Sequence, residues 1–138
     1  MKRGKKFLER ANNIESKIDA TLRKVELYKS LTQRVSAKLN RDRVSQSSDV
    51  TANEKAIIRL MDEEERLKQL YDEYEKIVDE ITAVLTKLED PNDERLLVEL
   101  YLEHQTIHSL AAREHVTRDG IYKRLERALE EIETLLTQ

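Results

Sequence analysis

Thr106-Ile107-His108-Ser109-Leu110-Ala111-Ala112-Arg113-Glu114-His115 is followed by Val116-Thr117-Arg118-Asp119, and then by Ile121, Leu125, Ala128, Leu129 and Ile132 at helical spacing. The stretch reads as two helices joined by a tight polar turn. The paired small residues Ala111 and Ala112 let another backbone approach the first helix closely. The second helix carries a basic outer face. This is the layout of a helix-turn-helix, whose second helix enters the major groove of DNA.

Immediately upstream, Asp90-Pro91-Asn92-Asp93 is a helix start. Asp is a good N-cap, Pro suits the first turn, and acids favour the positive end of the helix dipole. Leu96, Leu97, Leu100 and Tyr101 then form the apolar face of a helix ending near Glu103. Residues 90–138 therefore read as a small three-helix domain.

Further out lie two long arms. From Lys5 to Arg43 the chain has neither Gly nor Pro, and Phe7, Ala11, Ile14, Ile18, Val25, Tyr28, Val35 and Leu39 recur at helical intervals. A helix of that length would extend about 58 Å. Val44-Ser45-Gln46-Ser47-Ser48-Asp49-Val50 reads as a loop, and Thr51 with Glu54 as the capping box of a second long helix. In that helix Ile57, Leu60, Glu64, Leu67, Tyr71, Tyr74, Val78, Ile81, Leu85 and Leu88 alternate steps of three and four, a heptad seam. Leu70, Ile77 and Val84 add a second line beside it, a stripe wider than a two-stranded coil needs. The expected architecture is all-α: a long antiparallel, coiled-coil-like helical hairpin over residues 1–89, followed by a helix-turn-helix domain over 90–138. The surplus width predicts that two hairpins pack as a homodimer. Glu64 is the one polar residue on the seam, a position that can fix register.

Composition agrees. Two Gly, one Pro and 38 % charged residues in 138 leave little material for sheets, and one Phe with no Trp argues against a large globular core. The absence of Cys removes disulfides and thiolate metal sites and fits the cytoplasm. No apolar run approaches the ~20 residues of a membrane span. Net charge is −3 but polarised: +8 over residues 1–43, −10 over 44–103 and −1 over 104–138. The basic first arm and acidic second helix are complementary, so Lys and Arg of the first are expected to face Glu63, Glu65, Glu73 and Glu80 of the second.

Val116-Thr117-Arg118-Asp119 followed by Ile121 resembles the V-T-R-E-x-I pattern in the region-four helix-turn-helix of bacterial primary sigma factors. Thr106, Leu110 and Ala128-Leu129 fall in the same register. Arg95-Leu96-Leu97-Val98-Glu99-Leu100, ahead of that unit and behind a helical region, is similar to the order of parts in phage late-gene regulators of the ArpU/RinA type. Two positions depart from the sigma pattern: Glu114 and His115 stand where an apolar residue and Gly are usual, and Leu125 comes one residue late. The resemblance implies a phage or prophage activator of late genes, acting in the cytoplasm of a bacterial host.

With Ile121 and Leu125 inward, Arg118, Asp119, Tyr122 and Lys123 are the candidates to reach base edges. Arg118 can fork onto guanine and Asp119 can accept from cytosine. Thr117, Arg124, Arg127 and Arg113 are expected to hold phosphates, which set register without reading sequence. The plain alternative is a solvated charged surface. Glu126, Glu130 and Glu131 keep the field weak, so the reading rests on spacing rather than on charge.

His104 and His108 have zinc-ligand spacing, but a helix start at Thr106 separates them, and no metal is expected. There is no Gly-rich phosphate loop, no Cys nucleophile and no pocket-like set of acids, so neither enzyme activity nor a cofactor is expected. Two rival readings share these features. One is a phage terminase small subunit, which marks DNA for packaging. The other is an interaction module that binds host RNA polymerase rather than DNA.

Overall fold

The computed structural model describes residues 2–41 and 47–138. Among these the chain is all-α, with helices α1 (Lys2–Arg41), α2 (Ser47–Leu85), α3 (Pro91–Leu97), α4 (Ile107–Glu114) and α5 (Arg118–Thr137), and a π-helical turn at Val98–Leu102. None of the described helices is long and apolar enough to cross a membrane. The helix expected from Thr51 begins earlier, at Ser47. Ser47 to Val50 hold no Gly or Pro to stop it extending backwards. The rest of the expected loop, Val44 to Gln46, and the arm end at Asp42 and Arg43 lie outside the described residues.

Two compact units divide the chain. One comprises Glu15–Glu73. The other combines Met1–Ile14 with Tyr74–Gln138.

Within Glu15–Glu73, α1 buries Ile18, Thr21 and Val25, and α2 buries Ala56 and Leu70. Leu60, Glu63 and Leu67 are half-buried on the same side of α2. Three of the five seam positions expected in this stretch therefore shift by one, while Leu60 and Leu67 keep theirs. Ala56, Glu63 and Leu70 point inward where Ile57, Glu64 and Tyr71 were expected, and those three are exposed. The polar seam residue is Glu63. Its Oε1 lies 4.0 Å from Lys24 Nζ, and its Oε2 is buried without a hydrogen-bond partner.

The other unit has the larger core. Leu8, Ala11 and Ile14 of α1 are buried, as are Ile77, Ile81, Leu85 and Leu88. Arg10 pairs with Glu80 at 3.0 Å. Gly4 shows how closely the start of α1 meets α5. Its N–H donates to Glu133 Oε2 at 2.7 Å, and a Cβ there would stand 3.2 Å from Leu129 O and 3.3 Å from Ile132 Cγ2. Only a residue without a side chain fits without displacing backbone.

The caps read from sequence form in this unit. Asp90 accepts from Asn92 N–H at 2.9 Å ahead of Pro91. Thr106 accepts from Ser109 N–H at 3.0 Å, opening α4. The turn after α4 differs from expectation. It spans His115 to Thr117, and α5 has already begun at Arg118 and Asp119. Thr117 is the N-cap, accepting from Gly120 N–H at 3.1 Å.

His115 adopts the left-handed conformation, φ 56° and ψ 40°, and Val116 N–H returns to Ala111 O at 3.0 Å. That six-to-one bond with a left-handed residue before it is a Schellman ending, which Gly usually occupies. His115 thus takes up the backbone strain where the sequence departs from the sigma pattern. His115→Gly is expected to raise stability by about 0.5–1 kcal/mol, the relief of left-handed strain exceeding the entropic cost of Gly. A rise in urea midpoint checks it, and a fall would show that the imidazole makes contacts worth more than the strain.

Candidate nucleic-acid interface

The candidate residues stand on a scaffold made by α3, α4 and α5. Leu96, Leu110, Ala111 and Ile121 form its buried centre, with Leu100, Ile107, Val116 and Leu125 packed around them. Ile121 and Leu125 thus face inward as their spacing requires. Residues two before or after Ile121 on a helix point away from the side it buries. Asp119 and Lys123 occupy those positions and are exposed.

Arg118 opens α5, and Tyr122 follows one turn on, 54 % exposed. Its ring is open to water, as are several large side chains elsewhere on the chain. These four side chains form two adjacent stripes at the N-terminal end of α5. Among the described residues none of the four forms an ion pair.

The other three arginines are engaged within the unit. Arg113 Nη2 donates to Glu99 Oε2 at 2.8 Å, Arg124 Nη1 to Glu114 Oε2 at 2.6 Å, and Arg127 Nη2 to Asp93 Oδ1 at 2.9 Å. Arg95 Nη2 also donates to Glu114, at 3.0 Å. An open polar cavity of about 470 Å³ runs beside this network, lined by Asp90, Asn92, Asp93, Arg95, Glu114, Arg124 and Arg127. Its charges cancel.

Glu114 is the hub. Burial opposes its ionisation, but the hydrogen bond and charge of Arg124, with Arg113 and Arg95, outweigh that and hold its carboxyl below the ordinary 4.5. Arg113 is raised by its bond to Glu99, and Arg127 by its bond to Asp93. The acids of this network were not read as site residues.

A depressed carboxyl pKa stabilises the fold above its unfolded value, and the contribution is lost as pH falls through the folded one. The Glu114 contribution is therefore expected in full above about pH 5 and to decline below pH 4.5. Urea unfolding of the parent and Glu114→Gln should differ at pH 7 and converge towards pH 3. A constant difference across that range would mean that the ionised carboxylate is not what stabilises the turn.

His104 adopts the left-handed conformation, φ 60°, before the Thr106 cap, while His108 lies in the first turn of α4. They do not share a helix. Among the described residues no three His, Asp or Glu converge as a metal site.

Comparison with protein-family models, curated proteins and solved structures finds no match for this chain.

Proposed function

We propose that residues 90–138 are a helix-turn-helix that reads double-stranded DNA, in a transcription regulator of phage or prophage late genes. The arms over residues 1–89 are read as an antiparallel helical hairpin through which the protein forms a homodimer. The observation that carries this is the N-terminal end of α5. Arg118, Asp119, Tyr122 and Lys123 are open to solvent and make no ion pair among the described residues, while Ile121 and Leu125 pack against α3 and α4.

In this reading α5 enters the major groove by its first two turns. Arg118 forks onto a guanine, Asp119 accepts from a cytosine amino group, and Lys123 and Tyr122 contact the flanking edges or sugars. Thr117 is held as the N-cap, and its exposed side lies nearest a phosphate. Arg113, Arg124 and Arg127 reach phosphates only by leaving Glu99, Glu114 and Asp93. The free charge offered to DNA is small, so two copies are needed to reach useful affinity.

Fluorescence anisotropy of the full chain, with promoter fragments from a host phage and with random competitor, tests the reading at two salt concentrations. Specific binding that weakens with salt is the expected result. Equal binding to both, or none at low salt, would overturn it. Because three of the arginines are internally neutralised, a protein-binding role towards host RNA polymerase is the second reading, and pull-down with the polymerase tests it.

A further inference from the structure

We propose that the dimer forms by antiparallel pairing of two copies of α2 along a second seam, Met61, Glu64, Lys68 and Tyr71, on the flank of the helix that the first arm leaves open. This deepens the self-association read above and rests on it.

The whole line is exposed, with apolar side chains at its ends and a Glu–Lys pair at its middle. Met61 is 64 % exposed, Tyr71 48 % and Ile57 38 %, within a unit whose own core is thin. Steps of four, three, four and three connect 57, 61, 64, 68 and 71, so these side chains line up along one helix flank. That flank is about 100° round the helix from the buried line through Ala56 and Leu70, because each residue advances the helix by about 100°. An open groove of about 370 Å³ borders it, with Leu22, Val25, Leu67 and Tyr71 as its apolar lining. Lone exposed apolar residues need no explanation, but three of them on one heptad line beside an apolar groove mark an interaction surface.

The charges on the seam identify the occupant and its direction. A two-fold axis crossing α2 at position 66 brings position 64 onto 68 of the other copy, and 61 onto 71. Glu64 then meets Lys68 twice, and Met61 meets Tyr71 twice. Thioether–aromatic contact is favourable, and the Met61 side chain enters the groove that Tyr71 borders. Parallel, in-register pairing would set Glu64 against Glu64 and Lys68 against Lys68. The surface is therefore complementary to itself in one orientation only, as an isologous interface requires.

Sedimentation equilibrium on the full chain, with helicity checked by circular dichroism, tests this. Met61→Asp and Lys68→Glu are each expected to raise the dimer Kd at least 10-fold. The double variant Glu64→Lys with Lys68→Glu restores the opposite-charge pairs and should return the Kd to near the parent value. Leu27→Asp, exposed and off the seam, should leave it unchanged.

A parent dimer indifferent to Met61→Asp, or a double variant no better than Lys68→Glu alone, would overturn this interface while leaving self-association intact. A parent that stays monomeric at 100-fold above micromolar concentration would overturn both.

Discussion

Leu110→Ala is expected to lower the unfolding free energy by about 2–5 kcal/mol, the range for removing a fully buried leucine from a core that cannot collapse around the gap. Leu110 is completely inaccessible, and it is enclosed by Leu96, Ala111 and Ile121, with Leu100, Ile107, Val116 and Leu125 outside them. Each neighbour belongs to α3, α4, α5 or the short segments joining them, so one cavity loosens every element that positions the candidate interface. The left-handed turn at His115 adds to the effect, because its strain persists only while packing on either side holds it. Urea unfolding followed by circular dichroism measures the change. Leu27→Ala, on an exposed position of α1, serves as a control expected within about 0.5 kcal/mol of the parent. A loss below 1 kcal/mol for Leu110→Ala would show that the small core is not what holds α4 against α5.

Arg118→Ala is expected to reduce specific DNA affinity by about 10- to 100-fold, the 1–3 kcal/mol of a lost bidentate base contact, and to relax preference at the guanine it reads. Lys123→Ala combined with it should bring binding down to the level of competitor DNA. Neither change should affect stability, because neither side chain has an ion pair among the described residues and both are exposed.

Arg124→Ala and Arg127→Ala behave in the opposite way. They remove hydrogen bonds to Glu114 at 2.6 Å and Asp93 at 2.9 Å, and Asp93 is itself buried. They are expected to destabilise the unit at pH 7 and to alter DNA affinity less than Arg118→Ala does. Anisotropy titrations alongside urea unfolding of all four variants separate the two groups. Affinity loss led by Arg124 and Arg127, with Arg118→Ala unchanged, would move the reading surface away from the start of α5.

Local chemistry accounts for what was legible along the chain. Asp90 and Thr106 can each satisfy an otherwise unpaired N–H at a helix start, and each does so. Such caps involve residues two or three apart, so they need no tertiary information. Ile121 and Leu125 were legible as inward for a similar reason: helical periodicity places them. The ion-pair network was not legible. Glu114 lies 10 residues from Arg124 and 19 from Arg95, and Asp93 lies 34 from Arg127. A charged residue in a sequence this rich in charge carries no mark of which partner it will meet. As a result Arg113, Arg124 and Arg127 read as phosphate ligands, although the fold engages them with carboxylates.

The all-α character, the helix starts at Asp90 and Thr106 and the existence of a wide apolar stripe on α2 follow from composition, caps and periodicity, because these depend on neighbours within a turn or two. Which edge of that stripe would be buried did not follow. Ala56, Glu63, Leu70 and Ile77 on one edge, and Ile57, Glu64, Tyr71 and Val78 on the other, each present three apolar residues and one glutamate at the same heptad spacing. The pattern is a tie, and packing breaks it. Ala56, Leu70 and Ile77 are buried, while Ile57 and Tyr71 are left in water. An amphipathic helix encodes how much apolar surface it must cover; the neighbour that covers it, and on which side, is settled by residues distant in the chain.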